Sequence, residues 1–198
     1  MSPTRQRAFD ELVPRYAANT PIARDQPIIV EIGCGAGEAT AAMAPGDAGS
    51  LVIACEPNAA MIANLATLLD AEAIANVRLW VGDAFDLLDL LGQGSVSELR
   101  VWFPDPWPKP RQAQKRLFTA QRLALLADAL TVGGLLRLAT DDAAYAAEAL
   151  DAIEAEPRLV GGVVPRPAAR PITRFEARGL HDGRAAIDIE ARRTANMQ

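Results

Sequence analysis

Short apolar runs alternate along the chain with stretches in which apolar residues recur every three or four positions. The runs at 28–32 (IIVEI), 51–55 (LVIAC), 77–81 (VRLWV), 98–103 (ELRVWF) and 135–140 (LLRLAT) read as strands. RLVGGVV at 158–164 and AAIDIEA at 185–191 read as two more, joined by a long Pro/Arg loop. Helical spacing predicts helices over 38–44, in the segment opened by Pro57, over 84–91 and over 142–155. Over 114–130, Leu117, Phe118, Leu123, Leu125, Leu126 and Leu130 share one broad face, predicting a helix that Gly133 and Gly134 stop. Strand–helix alternation implies an α/β fold with a mostly parallel seven-stranded sheet and helices on both faces. No repeat or linker divides residues 26–198, which read as one domain behind a partly ordered lead-in, residues 1–25.

Composition narrows the class. Of 198 residues, half are hydrophobic and 23% charged, which excludes a disordered chain. The apolar share is inflated by 39 Ala, and aromatics make up only 5%. No apolar run approaches the ~20 residues that span a bilayer, and the N-terminal segment is too polar for a signal-peptide core. Two cysteines, Cys34 and Cys55, exclude a disulfide scaffold and a four-thiolate zinc site. A cytoplasmic protein with neither membrane nor metal partner is the expectation; monomer and homodimer both stay open.

The first strand ends in Glu31-Ile32-Gly33-Cys34-Gly35-Ala36-Gly37-Glu38. Gly33, Gly35 and Gly37 allow a tight turn and close approach of backbone to a ligand. A dinucleotide fingerprint wants its third glycine where Glu38 stands, and a carboxylate there sits badly beside a pyrophosphate. Carboxylates suit a cation. Glu56 ends the second strand, where an acid takes ribose hydroxyls, and Asp83, followed by Ala84, ends the third. A cationic ligand with an amino group, a ribose and an adenine fits this set, and S-adenosyl-L-methionine is one.

After the fourth strand comes Phe103-Pro104-Asp105-Pro106-Trp107-Pro108-Lys109-Pro110-Arg111. Prolines flanking Asp105 and Lys109 stiffen the loop before any ligand arrives. Asp105 stands at a strand end, beside the place expected for the methyl donor. A basic entry to a helix follows, Gln112 to Arg116.

On these residues the chain resembles the bacterial tRNA (guanine-N7-)-methyltransferases. The matching segments are VEIGCGAGE, the Glu56 strand end, GDAFDLL, FPDPWPKPRQAQKR, LATD at 138–141 and VPRPAARPITRFEARG at 164–179. They run in family order from about residue 28 onward. The resemblance implies a class I methyltransferase (Rossmann-like) fold, S-adenosyl-L-methionine as donor, and methylation of guanine 46 in the tRNA variable loop. It implies that Glu31, Glu56, Asp83 and Asp105 line the donor site, with Asp105 the catalytic candidate. Lys109, Asp141, Thr173, Arg174, Phe175 and Glu176 would face the substrate, and Arg111, Lys115 and Arg116 would touch RNA. The chain departs from the family where Pro110, Gln112, Ala113 and Gln114 thin the basic run.

Guanine N7 carries a lone pair and no proton, so its methylation needs no general base. Asp105, Asp141 and Glu176 are the three candidates to accept from the guanine N1–H and N2–H edge. Trp107 and Phe175 are candidates to support an unstacked base, with burial in the core the competing role for Phe175. Asp141 also reads as a cap for the following helix. A methyltransferase acting on a small molecule or a protein would leave 164–179 without a role. A non-catalytic RNA-binding relative would have no use for the acids and glycines of the donor site.

Net charge sharpens the choice of partner. The chain carries −5, yet 18 of its 20 cationic side chains are Arg. Residues 105–122 carry a net +4 (Lys109, Arg111, Lys115, Arg116 and Arg122 against Asp105). Residues 158–178 also carry +4 (Arg158, Arg166, Arg170, Arg174 and Arg178 against Glu176). An acidic body with basic loops predicts local, salt-sensitive binding of phosphates.

Overall fold

A computed structural model describes residues 1–18, 22, 24–107 and 109–195. Parts of the lead-in (19–21 and 23), Pro108 of the proline loop and the last three residues lie outside the described residues, as do the side chains of Pro110 and Ala113. Seven strands form one sheet: β1 (Ile28–Ile32), β2 (Leu51–Cys55), β3 (Val77–Trp80), β4 (Val96–Trp102), β5 (Leu130–Thr140), β6 (Leu159–Val164) and β7 (Ile187–Arg193). Their order is β3-β2-β1-β4-β5-β7-β6. β1 to β5 pair in parallel, while β7 runs antiparallel to both its neighbours.

Eight helices accompany the strands among the described residues: α1 (Pro3–Glu11), α2 (Val13–Tyr16), α3 (Glu38–Met43), α4 (Ala59–Ala71), α5 (Ala84–Leu91), α6 (Ala120–Ala129), α7 (Ala143–Ala155) and α8 (Arg174–His181). The central strands alternate their allegiance. Ile28 and Val30 join the core under α5, α6 and α7, whereas Ile29, Val52 and Ala54 join the core under α4. α1 and α2 cover α4, with Val13 buried and Phe9 and Leu12 packed on the same cluster. Fully buried Ala63, Ala66, Ala127 and Ala149 let these helices sit close to their neighbours. No helix among the described residues is long and apolar enough to cross a membrane.

Three expectations need correction. The helix expected over 114–130 is a 3₁₀ turn (Pro110–Lys115) followed by the shorter α6. Thr119 divides them, because its hydroxyl accepts the Arg122 N–H and caps α6. Gly133 and Gly134 do not stop that helix. It ends at Ala129, and Leu130 is already extended. The glycines lie inside β5, where the register with β4 jumps between Val96↔Leu130 and Glu98↔Leu135. They absorb that bulge: Gly133 has φ +84°, and a Cβ on Gly134 would stand 2.9 Å from the Thr131 carbonyl oxygen. Finally, the loop expected between the last strands contains α8, and the last strand lies at 187–193.

The chain moves outward from β1 through β2 to β3, then returns to β4 on the other side of β1. Ligands of open α/β sheets bind at the carboxyl ends of strands beside such a reversal.

Candidate functional site

The pocket opens at that reversal, above the carboxyl ends of β1 and β4. Its volume is about 280 Å³, lined by Glu31, Gly33 to Ala39, Glu56, Trp102 to Asp105, and Thr173 to Phe175. The glycine turn, the acids ending β1 and β2, the proline loop and the Thr-Arg-Phe segment therefore meet around one cavity.

The glycine turn is held by backbone bonds. Gly33 and Cys34 N–H donate to the Cys55 carbonyl (2.9 and 3.0 Å), and Gly37 N–H donates to the Cys34 carbonyl (3.0 Å). Asn64 on α4 donates to the Ala36 carbonyl (2.9 Å). Gly37 has φ +81°, and an added Cβ would stand 2.5 Å from the Leu65 side chain, so only glycine fits. At Gly33 and Gly35, also at positive φ, an added Cβ meets no protein atom within 4 Å. These two positions leave a cradle of bare backbone facing open space.

Glu31 is almost fully buried, and its Oε2 accepts from the Thr40 hydroxyl (2.8 Å). Burial pushes its pKa up to about 7 despite that bond and the attraction of Arg100. A carboxyl poised there gains from a cation entering the pocket. Glu56 bridges two backbone donors, with Gly35 N–H on Oε2 (3.2 Å) and Asn58 N–H on Oε1 (3.0 Å). Acids at two strand ends around bare glycine backbone suit a cationic nucleoside, so the residues present fit S-adenosylmethionine. Asp83 and Ala84 do not line the cavity. The Asp83 carboxylate caps α5 through the Phe85 N–H (2.9 Å), and Ala84 is buried in the core.

On the opposite wall the proline loop leaves the sheet at Phe103, whose N–H still donates to the Ala139 carbonyl (2.7 Å). Phe103 and Trp107 take positive φ (52° and 44°), a costly backbone for aromatic residues. Arg116 anchors the loop by donating to the Pro106 and Trp107 carbonyls (3.0 and 3.1 Å) while pairing with Glu148. Arg116, expected to touch RNA, is thus engaged within the protein. Lys115 lies over the Trp107 ring, 4.7 Å from its centroid. Asp105 is exposed, lines the pocket and has no hydrogen-bond partner among the described residues. Lys109 and Arg111 are exposed and lie outside the pocket lining.

Thr173, Arg174 and Phe175 line the pocket as expected of them, but Glu176 does not. Thr173 caps α8, its hydroxyl accepting the Glu176 N–H (3.1 Å). Phe175 is 67% exposed at the pocket rim, which overturns burial in the core. Glu176 points the other way and is only 3% exposed. Arg170 donates to both of its oxygens (2.6 and 3.0 Å), and Arg166 to one (3.1 Å). Burial alone would raise this carboxyl, but the two guanidinium groups outweigh burial and hold it below the usual range. A carboxylate so enclosed does not face a substrate. Asp141 is likewise engaged, accepting from Arg184 Nε (2.9 Å), and it is Asp142 that caps α7.

Arg174 on α8 reaches across the mouth to pair with Glu38 of the glycine turn (2.6 Å). Arg158 pairs with Glu156 and Asp128. Internal ion pairs thus engage Arg158, Arg166, Arg170 and Arg174 of the second basic segment but only Arg116 of the first, and Lys109, Arg111, Lys115 and Arg178 are exposed. Sequence reasoning missed Trp102, Phe103 and the Glu38–Arg174 pair. An acid after the third glycine was the available signal for Glu38.

A sheet with one reversed strand, a glycine turn after β1 and acids ending β1 and β2 define a class I methyltransferase. Solved structures of that class share the fold. An rRNA methylase from Streptococcus thermophilus superposes with a TM-score of 0.61 at 14% identity, over 98% of this chain and 99% of its own. An O-methyltransferase from Thermotoga maritima gives 0.58 at 19% identity, over 100% and 68%. The family described as "Putative methyltransferase" matches residues 25–189. Relatives carrying the name tRNA (guanine-N(7)-)-methyltransferase include one from Leifsonia xyli, 36% identical over 95% of this chain and 89% of its own length. Another, from Streptomyces coelicolor, is 39% identical over 87% of this chain and 66% of its own length. A third, from Streptomyces avermitilis, is 42% identical over 84% and 60%. The chain belongs to the tRNA (guanine-N7-)-methyltransferase family, and spans about 60–66% of the length of the two Streptomyces relatives.

Proposed function

We propose that this chain transfers a methyl group from S-adenosyl-L-methionine to N7 of guanine 46 in the variable loop of tRNA, in the cytoplasm. The observation that carries the reading is the single cavity around which glycine turn, proline loop and Thr173–Phe175 converge. When bound, the donor supplies an electrophilic methyl on a positively charged sulfur. Transfer to the N7 lone pair would exchange the S–CH₃ bond for an N7–CH₃ bond and pass the positive charge from sulfur to the purine. No proton moves, so no general base is required.

The chain's task is to hold the two partners in line, and such alignment supplies up to about 7–11 kcal/mol. The glycine backbone and Glu56 seat the nucleoside, and Glu31 balances positive charge beside it. Asp105 accepts from the guanine edge and favours the cation forming on the ring. This choice among the three candidate acids is supported by the enclosure of Glu176 and by the Arg184 partner of Asp141. Phe175, exposed at the rim, offers a face on which an extruded base stacks. Lys109, Arg111 and Lys115 beside the loop contact the RNA backbone, so affinity falls as salt rises.

The test is incubation with labelled S-adenosylmethionine and unmodified tRNA, followed by mapping of the modified base. Label at N7 of guanine 46 is expected, and a tRNA with adenine there should stay unlabelled. No label, or label at another atom, overturns the reading.

A further inference from the structure

Arg170 is the largest fully buried side chain in the protein's described residues, and the proposed chemistry gives it no role. It stands between β6 and α8. Its Nε and Nη2 donate to the two oxygens of Asp188 (2.7 and 2.9 Å), and Nη1 and Nη2 to the two oxygens of Glu176 (2.6 and 3.0 Å). One guanidinium thus forks two carboxylates from two elements, β7 and α8. Its carbon also lies 5.8 Å from the Trp102 ring centroid and 5.4 Å from that of Phe103. Asp188 is fixed in the sheet opposite Ala139, the residue whose carbonyl takes the Phe103 N–H. Three parts meet on this cation: the sheet, the helix whose first turn carries Arg174 and Phe175, and the corner leading into Asp105.

An apolar cluster of the same volume would avoid the desolvation of these charges. What it would lack is direction. A planar fork with two bidentate partners admits one mutual orientation, and Lys cannot replace it. Fixing register is the best-attested use of a buried ion pair.

We propose that Arg170 is a positioning residue for methyl transfer, setting α8 against the Asp105 corner so that the acceptor base lies in line with the methyl group. It touches neither substrate and acts through Glu176, Trp102 and Phe103. The inference rests on the function proposed above.

Arg170→Lys keeps the charge and loses the forks. Its kcat on tRNA is expected to fall by about 10- to 100-fold, with KM for tRNA changing far less. Binding of S-adenosylhomocysteine, on the other wall, should stay within about threefold of the unaltered chain. Glu176→Gln should give the same pattern, and the double variant should lose little more than either single one. If Arg170→Lys does not fold, Glu176→Gln alone carries the comparison. Undiminished kcat, a loss of donor binding matching the loss of kcat, or additive losses in the double variant would each overturn the proposal. Should the unaltered chain fail to methylate tRNA, the functional reading falls and hydrogen exchange tests the positioning. Arg170→Lys is expected to speed exchange in residues 174–181 and 103–107 together, leaving 33–41 unchanged. Speeding in one segment alone overturns it.

Discussion

The two walls of the pocket are built from different materials. The wall at β1 and β2 is made of backbone: positive-φ glycines, N–H groups on the Cys55 carbonyl, and a Glu56 carboxylate bridging two amides. The wall at β4 and α8 is held by arginines. Arg116 ties down the proline loop, Arg170 locks Glu176 to Asp188, and Arg184 holds Asp141. Under the proposed function, the contrast would match two tasks. A small nucleoside is recognised at close range, where only bare backbone can approach. A base presented by a large RNA must be met by long elements held at fixed angles, and planar forks hold angles well.

The largest effect that would sharpen this contrast is expected at Asp105, to which the proposed function gives a role in chemistry and none in architecture. Asp105→Asn should lower kcat by about 10²–10³, the scale of losing one well-placed electrostatic group. Its melting temperature should not change, since the carboxylate is exposed and without a partner among the described residues. Single-turnover methylation and calorimetry check both halves; near-normal turnover would break the assignment.

Gly37→Ala probes the backbone wall. The added methyl meets Leu65 at a left-handed φ, so stability should drop on the order of 2–4 kcal/mol in denaturant unfolding. Donor binding should weaken with it. Tolerance of alanine there would show that the turn is not held as tightly as its bonds imply.

Glu31 gives a pH signature. Burial lifts its pKa from an ordinary 4.5 to about 7, so the folded state holds the proton more tightly. Its contribution to stability is full below about pH 4.5 and is lost as pH rises to 7, by up to about 3 kcal/mol. Donor-site affinity should run the other way, because a cation favours the ionised carboxylate. Titration with S-adenosylhomocysteine, which keeps the amino group, should tighten by up to about tenfold per pH unit on approaching pH 7. Glu31→Gln should flatten that slope.

The smallest effect is expected at the bridge between the walls. Arg174 is 84% exposed on its side chain, so its pair with Glu38 is well solvated. Glu38→Gln should change kcat/KM by less than about threefold. A larger change would mean that the two walls are coupled at the mouth and not only through the sheet.

The seven strands (though not the bounds of β5 and β7), the glycine turn and the acids that end β1 and β2 were legible in the residues alone. These depend on period-two patterning and on backbone geometry within a few residues, which local chemistry sets. The sequence also marked Asp105 and Thr173 to Phe175 as site residues, through the family resemblance. The fate of the charges came with the folded arrangement. Arg116 and Asp141 look like RNA and substrate ligands in the chain, yet their partners lie far away in sequence, whereas Glu176 is enclosed by Arg170 and Arg166, only six and ten residues before it. Arg116 meets Glu148 across 32 residues, and Asp141 meets Arg184 across 43. A charged side chain carries no mark of whether it will face solvent, RNA or a buried partner. That is settled when the folded sheet brings distant elements together and one arrangement of forks satisfies the buried carboxylates. The same holds for Phe175, apolar in the chain and exposed at the rim because Glu176, its neighbour on α8, takes the buried face.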